Sequence, residues 1–552
     1  MRSAVLYSGQ LRRLRFRSKV IPVNTSDPLH RANVSVSSIA AACEFLRAYW
    51  LRFVVISAVL LIPCFWHHHL EAGDLPSHLY NAWLAQLIAR GQAPGLFLAH
   101  QSNNVLFDFA LSGFGNLFGL AAAEKIAISA AVLIFFWGAF ALACSISHAA
   151  SPKPIPWFLA PCIAALTYGY TFEMGFVNYY ISIGLAFLGL AVLARSDARP
   201  GRSLFPDAIV IFLLIPLIWL AHPLGLFVFG AVGAYIIFAK HLPPARQVYL
   251  FSAAVLILLA VHFYIEARHW DIEASVIHGS LAAKFGIMAN GADQLLLYGP
   301  HDLLSVYLLT ALFLASLLVD VAQGWRVPER RQSFLLPLQL YILALLAARF
   351  IPAKILVPHR LGTMGALGFL TDRLTSIVAI FACCLLAQIK PRKWHYAGFA
   401  VLAAFFFSFL YSETARISSL EDQVGQLVAS LPRGQRVTKK IIILPDNRIS
   451  INHIIDRACM GRCFSYDNYE PSSGQFRVRV QSENPFVMST GEKVDAVVKG
   501  NYVVQDSDLP LSVIYECAPG KTDLCLGELN AGQENGSVGV PRAESATYEP
   551  LR

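Results

Sequence analysis

Eleven stretches of mostly apolar residues constrain this chain more than any other feature of its sequence. They are Leu51–Trp66, Lys125–Ile146, Trp157–Thr171, Asn178–Ala194, Phe205–Ala221, His222–Ala239, Val248–Glu266, Asp302–Asp320, Phe334–Phe350, Leu374–Gln388 and Tyr396–Ser412. A bilayer-crossing helix needs roughly 20 such residues, and several stretches fall a little short. In lipid every backbone N–H and C=O has to be satisfied within the segment, so such stretches are predicted as helices. Of the 552 residues, 56% are hydrophobic and 14% are charged, with a mean hydropathy of +0.53. Soluble domains carry about 25% charge. A soluble enzyme, a disordered or collagen-like chain and a small disulfide scaffold are all excluded. The fold class expected is an α-helical polytopic membrane protein.

The basic residues orient it. Lys and Arg number 44 against 35 Asp and Glu, a net charge of +9. In a membrane protein that excess marks cytoplasmic loops rather than a nucleic-acid partner. Arg12, Arg13, Arg15, Arg17 and Lys19 place the N-terminus in the cytoplasm. Arg195, Arg199 and Arg202, then Lys240 and Arg246, then Arg326, Arg330 and Arg331, then Lys390, Arg392 and Lys393 mark four further cytoplasmic loops. All fall on one side only if the apolar stretch Val105–Leu120, which holds Asp108, Asn116 and three glycines, does not cross. It is read as an interfacial helix on the outer face. The C-terminus then lies outside, and the membrane is read as a bacterial inner (plasma) membrane. The first span reads as a signal anchor rather than a cleaved signal peptide. The Arg- and Ser-rich first forty residues leave a mitochondrial transit peptide as a second reading.

The expected organisation is a basic cytoplasmic segment (1–48), a membrane domain (49–412) with a first outer loop at 67–124, an extracytoplasmic domain (413–529) and a disordered tail (530–552). The extracytoplasmic domain is expected to be small and α/β or mainly β. Its predicted strands are Val437–Leu444, the alternating Phe476–Val480, Val494–Val504 and Leu511–Glu516. Of ten cysteines, Cys43, Cys64, Cys144, Cys162, Cys383 and Cys384 lie in or near helices and read as apolar packing residues. Cys459, Cys463, Cys517 and Cys525 lie in the outer segment, where an even number suggests two disulfides. Neighbour pairing is favoured, with two other connectivities open. A zinc site at Cys459 and Cys463 is the lesser reading. There is no internal repeat, Walker A loop or dinucleotide fingerprint.

The most informative segment is His67–Gly91, HHHLEAGDLPSHLYNAWLAQLIARG. Pro76 suits a first helical turn. Leu79, Trp83, Leu84, Leu87 and Ile88 recur at helical spacing, predicting an amphipathic helix lying on the membrane, with Asp74 at its start. Glu71, Asp74 and His78 are expected at one corner of the bilayer surface. A carboxylate there can take a proton from an attacking hydroxyl, or join His78 in holding a divalent cation such as Mg or Mn. The competing reading of Asp74 is a helix cap. Three consecutive histidines on a helix point about 100° apart, so His67–His69 reads as a polar collar and no metal ligands are assigned.

On the outer side Lys354, His359, Arg360 and Arg373 form a cationic group suited to a departing phosphate. Tyr168, Tyr170, Phe172, Tyr179 and Tyr180 surround Glu173. They suggest an interfacial aromatic belt or, with Glu173 and Asn178, a sugar-stacking platform. His222 precedes Pro223 at the outer end of a span, where a histidine suggests a site.

A first outer loop with an Asp, then a helix ending in Gly, then an interfacial helix closing on "LFG" and a span opening "AAEKIAISA", resembles the GT-C glycosyltransferases. The motif match covers Leu51 to about Ile146, and GDLPSHL is similar to a GD-x-x-x-H opening in bacterial relatives. The resemblance implies a GT-C-like membrane fold, a catalytic Asp in the first outer loop (Asp74) and a polyprenyl-phosphate sugar donor. It departs at Leu75, where a second acid is frequent. The function expected is inverting glycosyl transfer from that lipid-linked donor to an extracytoplasmic acceptor such as a cell-surface glycan, lipid or protein. The remaining sites are read as substrate-binding. The alternative is a non-catalytic transporter, flippase or polysaccharide-assembly protein.

Overall fold

A computed structural model describes residues 47–150, 153–196, 205–267, 289–324, 327–352, 355–356, 366–440, 448–449, 451–474, 476–518 and 522–537. The chain divides into two compact units, one of Met1–Val55 with Gly201–Ser203 and one of Ile56–Pro200 with Leu204–Arg552. The first contributes only 47–55 to the described residues, the start of the apolar helix Arg47–Cys64.

Among the described residues eight helices are long and apolar enough to cross a membrane: Arg47–Cys64, Leu120–His148, Val177–Arg195, Pro223–His241, Pro244–Ile265, Pro300–Asp320, Pro328–Phe350 and Lys393–Ser430. The other three expected spans are helical but shorter. Phe205–Ala221 and Leu370–Leu386 have 17 residues each, and Trp157–Thr171 divides into a 3-10 turn at Trp157–Leu159 and the helix Ala160–Thr167. Burial orders them. The apolar window of Val177–Arg195 is 89% buried and that of Pro244–Ile265 only 6%. The first is therefore the middle of the bundle, and the second leaves Leu256, Ile257 and Phe263 on the surface, as lipid-facing side chains would be. Leu370–Leu386 is buried along nearly its whole length. The helix Leu106–Phe118 has 13 residues, about 20 Å at 1.5 Å per residue. That is short of a hydrocarbon core of about 30 Å.

Lys393–Ser430 runs unbroken for 38 residues, about 57 Å. The expected end of the last span at Ser412 falls inside this helix. Four short strands, β1 (Leu96–Leu98), β2 (Ile355–Leu356), β3 (Ala366–Leu367) and β6 (Val478–Val480), form two separate pairs, β1 with β6 and β2 with β3. The second half of the long helix, which carries Glu413, Glu421 and Asp422, leads into a sheet made of β4 (Arg436–Lys440), β5 (Phe464–Ser465), β7 (Leu511–Glu516) and β8 (Leu524–Leu529), in the order β5-β4-β7-β8. β4 is parallel to β5 and β7, with Val437 opposite Ser465 and Ser512, and β7–β8 is antiparallel. Three expectations are corrected here. Val494–Val504 is not a strand. Gly491–Lys499 is a helix capped by the Thr490 hydroxyl and closed by left-handed Gly500, with Val494 and Val497 buried at helical spacing. Only Val478–Val480 of the Phe476–Val480 stretch is a strand (β6), and it pairs outside the sheet, antiparallel to β1 (Leu96–Leu98) of the first loop. Residues 530–537 are ordered: Asn535 is buried and its amide bonds Tyr502 and Val497. Disulfides join Cys459 to Cys463 and Cys517 to Cys525.

The C-terminal segment closes over the first loop instead of standing apart from it. The β1–β6 pair is one tie. A second is a shared apolar core in which Tyr80, Leu84 and Leu96 of the loop pack with Val424 and Val428 of the long helix and with Val437, Ile454, Ile455 and Ile514 beyond it. The helix Leu75–Ala89, expected to lie on a membrane, is therefore buried on almost every face. Its polar residues Ser77 and Asn81 meet Asn468 and Glu470 of the C-terminal segment.

Candidate functional site

The loop 70–74 reaches its position by pairing with the turn at 173–175. Gly73 N donates to Glu173 O at 2.6 Å and Asp74 N to Met174 O at 3.2 Å. Gly175 permits this approach: it has φ +78°, and a Cβ there would stand 2.4 Å from Asp74 N. Asp74 then occupies the residue before the helix Leu75–Ala89, but its side chain makes no capping hydrogen bond. The carboxylate instead lines a cavity of about 460 Å³.

The wall behind Asp74 comes from the C-terminal segment. His453 Nε2 lies 3.9 Å from Asp74 Oδ1, and His453 Nδ1 is hydrogen-bonded to Asp456 Oδ2 at 2.8 Å. Asp456 is fully buried and also accepts from the Ser465 hydroxyl. Burial of His453 works against its charge. The hydrogen bond to Asp456 and the charges of Asp456, Asp74 and Glu470 outweigh that, and its pKa is raised. The Tyr469 ring is tilted against it and meets the Phe476 ring edge-on, and both line the same cavity.

His78 lies one turn along from Asp74. Its Nδ1 is 3.3 Å from Asp108 Oδ1, Asp108 Oδ2 accepts from Asn178 at 3.2 Å, and Asn178 Oδ1 accepts from Phe107 N at 2.8 Å. Burial opposes the imidazolium, but the Asp108 bond and the Glu470, Asp108 and Asp74 charges push its pKa up to about 9. His222 is the cap of the helix Pro223–His241. Its Nδ1 accepts from Leu224 N at 3.1 Å, which leaves Nε2 as the donor of a neutral ring.

Arg373 lies in the first turn of Leu370–Leu386. Its guanidinium is 4.3 Å above the Phe176 ring and 5.5 Å from that of Tyr179, whose hydroxyl donates to Arg373 O. It forms no ion pair among the described residues, and its Nε is buried without a hydrogen-bond partner. The adjacent Asp372 is taken by Arg448 at 3.0 Å. Phe369, just before this helix, is held at φ +53° and lines the cavity. A left-handed bulky residue costs about 1–3 kcal/mol and recurs at ligand sites.

The cavity thus joins Asp74, His78, Asn178, His222 and Arg373 from the expected set. Glu71 and Glu173 are not among its lining residues. Glu71 faces the opposite way, into a buried cluster where Arg457 bonds Glu124 and Leu70 O, each at 2.8 Å, and pairs with Glu421. Burial, reinforced by Glu421, pushes the Glu71 carboxyl well above its ordinary range. Glu173 accepts from the Tyr298 hydroxyl at 2.6 Å, and burial pushes its pKa up to about 8. Its aromatic neighbours Tyr168, Tyr170, Phe172 and Tyr180 are core residues rather than an exposed belt, and only Tyr179 reaches the cavity. Lys354, His359 and Arg360 lie outside the described residues.

A magnesium-class ion wants several oxygen ligands with carboxylates among them. This cavity offers one carboxylate, Asp74, whose neighbours are His453, His78 and the cationic Arg373. The donor set fits such an ion poorly. His453 and Asp456 were missed from the sequence. The available signal was a His and an Asp three residues apart, in HIID, beside a cysteine pair.

No protein-family model matches the chain, and neither a curated protein nor a solved structure matches it.

Proposed function

We propose that this chain is a membrane glycosyltransferase that moves a sugar from a polyprenyl-phosphate donor to an extracytoplasmic acceptor, with inversion. The observation that carries this reading is that Asp74, whose side chain makes no capping hydrogen bond, and Arg373, which forms no ion pair among the described residues, line one cavity. A carboxylate and a guanidinium are what attack and departure respectively need. The acceptor hydroxyl forms its bond to the anomeric carbon as Asp74 accepts its proton. The bond from that carbon to the phosphate oxygen breaks on the opposite face, and the polyprenyl phosphate leaves with the electron pair. Arg373 offsets its growing charge. His453, held by Asp456, orients the Asp74 carboxylate. Asn103, Asn104 and Gln101 on the cavity wall are hydroxyl partners for a sugar, and the aromatic rings of Tyr469 and Phe476 present faces to it.

The resemblance to GT-C enzymes and the basic-loop pattern support the rest: helices crossing a bacterial inner membrane, a cytoplasmic N-terminus, and the loop and C-terminal segment outside. Saturable binding of radiolabelled polyprenyl-phosphate hexose to the detergent-purified chain tests the donor class. Arg373→Ala should weaken it about tenfold or more, the loss of a charge-assisted contact of roughly 1.5–3 kcal/mol. Absence of saturable binding by the wild type would leave the transporter or assembly reading ahead.

A further inference from the structure

The histidines that leave the first apolar helix are not on a helix. The helix ends in a 3-10 turn at Ile62–Cys64 and residues 66–69 form bends, so the angular argument against shared ligation does not hold for them. His67 turns aside: its Nε2 bonds Tyr411 O at 2.9 Å and its ring packs on Tyr411. His68 and His69 turn the other way, with ring centroids 4.3 Å apart. Both approach the same oxygen, His68 Nδ1 at 2.9 Å and His69 Nε2 at 3.0 Å from Asp422 Oδ1. The other nitrogen of His69 is 3.5 Å from Glu421 Oε2.

We propose that His68, His69 and Asp422 bind a divalent ion of the zinc class, and that this ion fastens the loop leading to Asp74 onto the long helix Lys393–Ser430. The ligand atoms lie within 4.8 Å of one another. A tetrahedral ion with bonds of about 2.05 Å holds its ligand atoms about 3.3 Å apart, so the His68–Asp422 and His69–Asp422 spacings of 2.9 and 3.0 Å open by a few tenths of an ångström to admit one. Two imidazoles and a carboxylate select zinc, cobalt, nickel or copper over magnesium or calcium. Glu421 on the far nitrogen of His69 is the outer carboxylate that such histidines ordinarily have, fixing ring and tautomer. The side chains are 76% exposed at His68 and 46% at Asp422, which leaves the open side of the ion to water. The position gives the ion a structural task. His69 lies five residues before Asp74, and Glu421 also pairs with Arg457, which holds Leu70 O. The ion would clamp the outer end of the network that places Asp74.

The test uses the full-length chain without an affinity tag, purified in detergent and stripped with a chelator. Cobalt(II) titration followed by visible absorption should show one equivalent bound, with the intense band of a four- or five-coordinate nitrogen and oxygen site, displaced by zinc and not by millimolar magnesium. His68→Ala and His69→Ala should each weaken binding at least tenfold, and His67→Ala should not. Because the His68 side chain is mostly exposed, that variant tests the site even if His69→Ala fails to fold. Zinc should raise the thermal midpoint of the wild type and of His67→Ala but not of His68→Ala. No stoichiometric cobalt or zinc binding by the wild type, or unchanged binding in His68→Ala, would overturn the site. Binding that leaves the midpoint unmoved would overturn the clamp.

Discussion

His453 Nε2 stands 3.9 Å from Asp74 Oδ1 while its Nδ1 is held by Asp456 Oδ2 at 2.8 Å. A histidine from the C-terminal segment is thereby fixed against the carboxylate that opens the first-loop helix. The candidate site does not belong to the membrane helices alone.

A positioning role for His453 predicts a defined failure. His453→Gln should lower kcat about 10- to 100-fold, the cost of misplacing a reacting group by about an ångström, with little change in the KM for donor. The pKa of His453 is raised, so its cationic form persists to higher pH than that of an ordinary imidazole and is lost as pH rises through that raised value. The wild-type rate should fall on the alkaline side, and His453→Gln should lack that contribution. A pH profile of the variant with the wild-type alkaline limb would exclude this role.

His78 links pH to stability. Its folded pKa of about 9 lies above the ordinary 6.5. The stability from its cationic form is complete below about 6.5 and lost as pH rises through 9. It amounts to a few kcal/mol at most. The thermal midpoint should fall between pH 6.5 and 9 in the wild type and fall less in His78→Asn. Equal slopes would show that Asp108 does not hold a charged His78.

Arg457 faces Glu124, Glu421 and, by its charge, Glu71 in a buried cluster. Removing one member of a buried ion cluster leaves uncompensated charge at a cost of about 3–5 kcal/mol. Arg457→Met should fail to accumulate as folded protein, measured by detergent size-exclusion. Lys499→Ala, which breaks an exposed pair with Asp495, should change stability by less than about 1 kcal/mol. A well-folded Arg457→Met would remove the cluster from the account of how the 70–74 loop is placed.

Arg373 is the cation expected to meet the phosphate. Arg373→Ala should raise the donor KM and lower kcat. Arg373→Lys should recover part of the loss, since it keeps the charge but not the planar stacking on Phe176. Measured donor KM values for both variants equal to the wild type would exclude contact with the donor.

Much of this was legible because local chemistry carried it. Apolar runs gave every long helix, Pro76 gave the start of the first-loop helix, and Arg373 belonged to the cationic group of four expected on the outer side. Glu71 and Glu173 were misread because a carboxylate near a span end reads as a surface group until its partner is known. Those partners, Arg457 and Tyr298, are hundreds or more than a hundred residues away. His453 was invisible for the same reason, since a chain that folds back across its own first loop leaves no periodic mark. The angular argument applied to His67–His69 does not hold, because the helix that would have splayed them ends at Cys64.

The central claim is that the Asp74 carboxylate takes a proton during transfer, and one comparison tests it most directly. Membranes holding wild type or Asp74→Asn are given labelled polyprenyl-phosphate sugar and acceptor, and initial rates are measured beside the amount and thermal midpoint of folded protein. Because Asp74 makes no capping bond, the variant should fold with its midpoint nearly unchanged. Its transfer rate should fall about 10²–10⁴-fold, the usual contribution of a general base. Transfer by Asp74→Asn within a few-fold of the wild type would contradict the account.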